Sequence, residues 1–530
     1  MSQAQSQRED LRGTWLVLVM ASIGMTVIAY NTTAVITIMP NLQAEFDLRP
    51  TTLQWVMTIY TVSAAALVPV MGRLGDQLGK MPVYLFGIAV FALGALVVAL
   101  SDDAFLLLAG RLGQGIGAAS LFGTSLAVLS AATPESHRSF VTGFWGAMIA
   151  LGMSLGPIIG GSFAELISWR GIFVSDLVLS AICLAIAVRV ARAGYVPDTR
   201  VPGARFDYPG AIALVLLLAP AAYALTNGES QGWTSAATLA PLGVALVAAI
   251  AFWTIERRAP EPLIHLGYFR HPRFLMATVG VLIAGFLLLG FLVYFNLFVQ
   301  SPDTLALSPV LAGAALLPLT AVMFVLSVTA PRLLAPYSFH WPVTLGMACL
   351  TVACLLLYGT SNTSTYASIW WKLVILGIGF GLTTPLLPRV GLRLLPEEHT
   401  GQGSGVINTC LYFGGSLGVV VCGLVAARTV RSRVAAVVDA LPAEVPGREA
   451  VVASLTHGSP NEVQQALFTL APAAGSALQE TLRGVQDDIF DAVMLACALV
   501  ALMGGLLAGW LLRGPVPPPH SAAELAERRA

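Results

Sequence analysis

Read for apolar runs alone, the chain is a succession of membrane-length segments separated by short polar turns. A helix needs roughly 20 mostly apolar residues to cross a hydrocarbon core. Such windows lie near 14–39, 52–71, 82–100, 104–130, 140–162, 170–191, 208–226, 236–255, 274–298, 309–331, 342–359, 367–390, 403–426 and 490–512. They predict fourteen spanning helices, an even number that puts both chain ends on one side. The first window contains VIAYNTTAVITIMP (27–40), an apolar run broken by Asn31, Thr32 and Thr33 about two turns before its proline. Polar groups at membrane depth are expensive and tend to be functional.

The basic residues choose the side. Loops on the side of the termini carry Arg73, Lys80, Arg138, Arg192, Arg200, Arg205, Arg257, Arg258, Arg270, Arg273, Arg332 and Arg393, whereas short loops opposite carry Arg49 and Arg170. The positive-inside rule therefore predicts cytoplasmic termini. Residues 1–13 are read as a cytoplasmic N-terminus ahead of an uncleaved first span, since the apolar stretch is too long for a signal peptide and lacks a small-residue cleavage site. Residues 513–530 form the matching tail. Residues 427–489 are polar and helix-prone, and are read as an outer loop, either a folded cap or a docking surface for an outer-face protein partner.

Composition supports a multispanning protein: 56% of the 530 residues are hydrophobic, 11% charged, and the net charge is zero. No basic block suggests nucleic acid as a partner. The six cysteines all fall in apolar runs, so neither a disulfide framework nor a metal site is expected. No Walker loop or nucleophile–base pair is present, which leaves enzymatic and ATP-driven readings without residues.

An internal repeat organises the helices. Segments 133–161 and 395–423 align without a gap at a shift of 262, pairing Gly143 with Gly405, Gly152 with Gly414, Ser154 with Ser416 and Gly156 with Gly418. The same shift carries Gly115-Ile116-Gly117 onto Gly377-Ile378-Gly379. The expected organisation is a six-helix bundle over 14–191, a linker with two inserted helices over 192–273, and a second six-helix bundle over 274–512 that includes the loop.

Motifs within this frame carry a family resemblance. GRLGDQLGK (72–80) resembles the signature loop of the major facilitator superfamily, RLGQGIGAA (111–119) its fourth-helix motif and GMSLGPIIGG (152–161) its antiporter motif. Fourteen spans, WRGIFVSDL (169–177), Gln300 followed by SPVLAGAALLP (308–318) and the long penultimate loop resemble the fourteen-helix drug:proton antiporter group. The resemblance implies an all-α membrane protein with the major facilitator fold, two six-helix bundles plus two inserted helices. It also implies a bacterial cytoplasmic-membrane exporter that works by alternating access on the proton gradient, without a cofactor. Protons, lipophilic small molecules and membrane lipid are its expected partners. A lipid or natural-product translocase with weak or no proton coupling, and a non-transporting sensor or assembly subunit, are the alternatives.

The resemblance assigns roles residue by residue. Gly72, Arg73, Asp76, Gly79 and Lys80 form the inner gate loop, with Gln77 and Met81 where basic residues are usual. Arg111, Gln114, Gly115 and Gly117 form the fourth-helix motif. Gly152, Gly156, Gly160 and Gly161 clear a helix face for close backbone approach, and Pro157 permits a bend. Counting back from Pro40, Asn31 stands where the family carries an aspartate, and Asp176 where it usually carries asparagine. By helical rise, Asn31, Arg111 and Asp176 lie at similar depth. Proton coupling is therefore assigned to Asp176 paired with Arg111, the alternative being a permanent ion pair or a helix-start acid. Lys372 and Asp491 are expected to form a second pair, unless Lys372 snorkels to the surface. Trp55, Tyr60, Phe122, Trp145, Tyr294, Asn296, Phe298, Gln300, Phe380, Asn408 and Tyr412 are candidates for an adaptable, mostly apolar substrate cavity.

Overall fold

The computed structural model describes residues 3–198, 200, 206–260, 262–334, 339–395, 400–440 and 484–513, and among these every regular element is helical. The first bundle comprises α1 (Gln3–Thr37), the short α2 (Met39–Phe46), α3 (Pro50–Leu78), α4 (Lys80–Ala99), α5 (Ala104–Ala131), α6 (Glu135–Leu166) and α7 (Arg170–Ala193). The inserted pair is α8 (Tyr208–Gln231) and α9 (Ala236–Arg258), followed by a single 3-10 turn. Then come α10 (Pro272–Gln300), α11 (Pro309–Ala315), α12 (Leu317–Leu333), α13 (His340–Leu357), α14 (Tyr366–Leu392), α15 (Thr400–Ala440) and α16 (Val485–Leu511).

Thirteen helices are long and apolar enough to cross a membrane, and α11 with α12 makes a fourteenth span bent by 42°. The break falls at Leu316, just before Pro318, which has no N–H to donate and whose ring crowds the preceding turn. Elsewhere side chains set the ends: Asp103 accepts from Leu106 N at 2.7 Å to start α5, and Asp207 from Gly210 N at 2.8 Å to start α8. Gly79, at φ +96, turns the chain between α3 and α4. The face bearing Gly13 and Arg513 is called the terminal face below, and the other the opposite face.

The long penultimate loop starts later than the sequence suggested. Helix α15 continues through Arg428 and Arg431 to Ala440, and α16 already begins at Val485. The helix outlasts the apolar window because Ala435, Ala436 and Ala440 favour helix and no glycine or proline stands between Gly423 and Pro442. The remainder of the proposed loop, 441–483, lies outside the described residues, and the docking reading with it.

The repeat is visible as repeated packing. Gly152 and Gly156 of α6 lie against the backbone of α1 at Thr26 and Tyr30, and their images Gly414 and Gly418 of α15 lie against α10 at Leu282 and Phe286. Gly115 of α5 meets Tyr60 O of α3, and its image Gly377 meets Leu319 O of α12. Gly117 faces Phe91 of α4, and Gly379 faces Leu350 of α13. With no Cβ between them, helices in lipid gain dispersion contacts that larger residues would prevent.

Where the halves meet, α6 packs on α11 and α12, and α3 packs on α15. The α6 contacts lie toward the opposite face: Gly313 against Pro157, Ser154 Oγ donating to Thr320 O at 3.1 Å, and Val310 N donating to Glu165 at 3.1 Å. There the core of the second half, with Phe291, Phe295 and Phe490, runs on into Ile36, Met39, Leu42 and Trp169 of the first. Helix α8 rests on both α3 and α15 and so covers that seam, while α9 packs mainly on α8 and leaves Leu246, Val247 and Ile250 exposed for lipid.

A Cβ at Gly156 would overlap Thr33 Oγ1 and stand 2.8 Å from Tyr30 O and 3.0 Å from Ala34 N, whereas Gly146 on the same helix has nothing within 4 Å. Gly156→Ala should lower stability by about 1–3 kcal/mol as an overpacked contact. Gly146→Ala should be neutral or slightly stabilising, and thermal unfolding of the two purified variants checks the contrast.

Candidate functional site

The polar knot of α1 is the near wall of a buried polar layer. Asn31 (α1), Arg111 and Gln114 (α5) and Asp176 (α7) each have no solvent exposure, and Tyr60 (α3) is equally buried beside them. Arg111 donates from Nε to Val56 O at 3.0 Å, and from Nη1 to Asn31 Oδ1 at 2.7 Å and Gln114 Oε1 at 2.9 Å. Its guanidinium lies 4.3 Å from the centre of the Tyr60 ring, a favourable placement for a desolvated cation. Asp176 Oδ2 accepts from Asn31 Nδ2 at 2.5 Å and from Gln114 Nε2 at 3.2 Å.

The expected direct ion pair between Arg111 and Asp176 is therefore replaced by a relay. Two amides stand between the charges, each turning its oxygen to the guanidinium and its nitrogen to the carboxylate. An amide can do this because it is acceptor at one end and donor at the other, whereas an ionised carboxylate only accepts. An aspartate at position 31 would set two carboxylates oxygen to oxygen. Asn31 and Asp176 are thus matched, and the layer holds one acid. Two buried polar atoms keep no hydrogen bond, Asp176 Oδ1 and Arg111 Nη2, so the layer retains capacity for a proton or a polar guest.

Gln114, which the sequence marked only as part of a motif, is the second bridge; its position three residues after Arg111 was the available signal, since that spacing shares a helix face. Tyr60, expected in a substrate cavity, instead caps the arginine, and Thr32 Oγ1 lies 3.2 Å from its hydroxyl. Its ring also meets Tyr412 of α15 edge-on at 6.2 Å, and Tyr412 meets Phe122 at 5.2 Å. This aromatic group joins the charge layer to the second half.

The second charge pair does not form. Lys372 Nζ donates to Thr360 Oγ1 at 3.4 Å, and Asp491 accepts from Gly359 N at 2.7 Å, so both serve the turn between α13 and α14 rather than each other. Position 373, the true image of Arg111, is a fully buried leucine; one residue of offset rotates Lys372 by about 100° around its helix.

In the 72–80 loop, Asp76 is held from within: Lys80 Nζ lies 2.5 Å from its Oδ1, Arg73 Nη1 3.7 Å from its Oδ2, and Lys80 also donates to Gly72 O at 3.0 Å. A Cβ at Gly75 would strike the Lys80 stem at 2.8 Å. The glycines of the antiporter motif do not share one partner. Gly152, Gly156 and Gly160 face α1, whereas Gly161, turned by about 100°, faces Pro309 of α11 across the halves.

The remaining cavity candidates are dispersed. Trp55 packs on Tyr223 of α8 at 6.0 Å, and Trp145 Nε1 donates to Ser125 Oγ at 2.9 Å. Phe298 stacks on Phe490 at 4.5 Å and Phe380 is fully buried in the second half's core. Asn296 donates to its own helix at Leu292 O, and Asn408 lies 3.5 Å from Ser404 Oγ. Tyr294 and Gln300 line a sizeable cavity at the opposite face. Hydropathy could not separate these environments because an aromatic residue is equally at home in core, lipid or cleft. The sequence also left unmarked two buried acids near the terminal face: Asp207, capping α8, and Glu256, which accepts from Ile264 N at 3.1 Å.

A bundle of fourteen apolar spans in two repeated halves, with an interior polar layer, defines a multi-pass membrane transporter rather than an enzyme. Residues 21–419 match the profile of the Major Facilitator Superfamily, and the chain belongs to that family. It is 31% identical over 413 residues to the cephamycin export protein CmcT of Amycolatopsis lactamdurans, covering 76% of this chain and 83% of that one. It is 30% identical over 393 residues to the methylenomycin A resistance protein of Streptomyces coelicolor (72% and 80%), and 28% identical over 413 residues to the multidrug resistance protein Stp of Mycobacterium tuberculosis (78% and 76%). In fold it is similar to a bacterial homologue of the human lysosomal transporter Spinster, TM-score 0.59 at 13% identity over 95% of this chain and 99% of that one. The human organic anion transporter MFSD10 gives the same TM-score at 15% identity, over 93% and 99%.

At the opposite face a clamp ties α2 to α7. Trp169 Nε1 donates to Glu45 Oε2 at 2.5 Å, Arg170 Nη1 to Glu45 Oε1 at 2.6 Å, and Arg170 Nη2 to Ser101 O at 2.8 Å. Burial pushes the Glu45 carboxyl up, but the hydrogen bonds from Trp169 and Arg170 and the charge of Arg170 outweigh it and hold the group below its ordinary value of 4.5. A lowered folded value stabilises the fold above the unfolded value, and that stability is lost as pH falls through the folded one. Wild type should therefore unfold at a higher temperature than Glu45→Gln at neutral pH, and the two should converge below pH 4.5.

Proposed function

We propose that this transporter is a proton-coupled exporter of lipophilic compounds in a bacterial cytoplasmic membrane, with Asp176 as the proton carrier. The observation that carries the reading is the single buried carboxylate of the polar layer, separated from Arg111 by two amides and retaining an oxygen without a hydrogen bond. The basic loops of the terminal face support an orientation with that face, and both termini, toward the cytoplasm. The names of the relatives, which include drug resistance and antibiotic export, support the substrate class.

In this mechanism ionised Asp176 orders Asn31 and Gln114, whose oxygens in turn fix the guanidinium of Arg111 over Tyr60. Protonation removes the negative charge, weakens both charge-assisted hydrogen bonds and lets the amides turn. Arg111 then changes its hold on Tyr60, and the change passes through Tyr412 to α15 of the second half. The halves rock about the contacts of α6 with α11 and α12 and of α3 with α15, with the 72–80 loop latching the cytoplasmic side and the Glu45 clamp the outer side. An amide at position 31 follows from this scheme, since the proton needs one acid and the arginine needs a neutral relay.

Dye efflux from vesicles under an imposed pH gradient tests the assignment. Asp176→Asn should insert and bind dye normally yet lose gradient-driven efflux, and the exchange Asn31→Asp with Asp176→Asn should recover part of it by returning one acid to the layer. Equal efflux by wild type and Asp176→Asn would make the acid structural and favour an uncoupled translocase.

A further inference from the structure

A second polar arrangement lies at the opposite face, apart from the charge layer, and takes only Gln300 from the motifs. It is a cavity of about 380 Å³ at the junction of both halves and the inserted pair, within the range of small-molecule sites. Gln43 of α2, Gln54 of α3, Gln300 of α10 and Gln486 of α16 bring four primary amides to it from four elements, and Thr226 of α8 and Tyr294 of α10 add hydroxyls. Among the described residues no Asp, Glu, Lys, Arg or His lines it, and the remaining described wall is mostly aliphatic.

Its construction is specific. On α15, Gly423, Ala426 and Ala427 form a floor of small residues, and a Cβ at Gly423 would overlap the Gln54 amide. Helix α8 closes the side through Leu225 and Thr226, and is clasped to α3 by Tyr223 against Trp55. The inserted pair thus supplies a wall that two six-helix halves by themselves lack. Gln300 Nε2 is already engaged, with Thr37 O at 3.0 Å and Asn296 Oδ1 at 3.1 Å. Gln54 and Gln486 form no hydrogen bond among the described residues, so their amides are available to a guest.

We propose that this cavity, walled on one side by α8, is a binding site for an uncharged lipophilic molecule bearing amide or hydroxyl groups. Neutral amides can donate to and accept from such a guest, while nothing in the wall would offset the desolvation of a fixed charge. Aliphatic and small side chains take the rest of the molecule. The site does not depend on proton coupling, which resides in the buried layer of the first half.

Chloramphenicol, a neutral amide diol, and ethidium, a cation, serve as probes on the purified full chain in nanodiscs. Wild type should bind radiolabelled chloramphenicol saturably. Ala427→Phe, which fills the floor, and Gln54→Leu, which removes an amide, should weaken it by about tenfold or more, with ethidium binding unchanged. Chloramphenicol, and not ethidium, should also shield a cysteine placed by Thr51→Cys from a neutral maleimide, a readout that needs no cavity-filling change. Asp176→Asn should bind chloramphenicol as wild type does, so failure of coupling and failure of this site read out separately. Absence of saturable chloramphenicol binding, undiminished binding in an Ala427→Phe protein of normal melting temperature, or equal shielding by both probes would overturn the proposal.

Discussion

A fully buried arginine among apolar helices is the constraint to which much of this molecule answers. An uncompensated guanidinium at membrane depth is costly, and Arg111 is held through Nε and Nη1 by a backbone carbonyl and two amide oxygens, and by an aromatic face, contributed by α1, α3 and its own helix. Each partner is held in turn by packing that allows no Cβ: Gly115 lets α5 close on α3, and Gly156 lets α6 close on α1. The charge therefore sets where four helices must converge, and the glycines let them do so.

The same constraint explains the distribution of acid and amide. Asp176 and Arg111 are opposite in charge but not in contact, and the intervening amides make the acid's ionisation felt by the arginine without locking the two into a permanent salt bridge. A direct buried pair would leave little reason for either partner to change state. The second half repeats the glycine packing but has Leu373 at the place of the arginine, so the two halves share a scaffold while one carries the ionisable layer.

The inserted helices give the fold a further dimension. Resting on α3 and α15, α8 covers a seam between the halves and walls the amide-lined cavity. In the proposed mechanism that seam also carries the aromatic link from Tyr60 to Tyr412.

Much was legible in the chain itself. Apolar windows gave the span count because hydrocarbon demands a fixed length of apolar helix, and the 262-residue shift located the packing glycines because close backbone approach leaves its mark in residue type. The depth of Asn31, Arg111 and Asp176 followed from counting rises. What counting could not supply was rotation and partner: whether Arg111 meets Asp176 directly, whether Lys372 points to Asp491, which helix Gly161 faces and where each aromatic lies. Those depend on how separate helices turn toward one another, a matter of angles and distances between segments far apart in the chain. The sequence by itself determined the class, the spans and the shared depth of Asn31, Arg111 and Asp176; only the tertiary structure decided that two amides separate the charges and that four glutamines from four elements line one cavity beside α8.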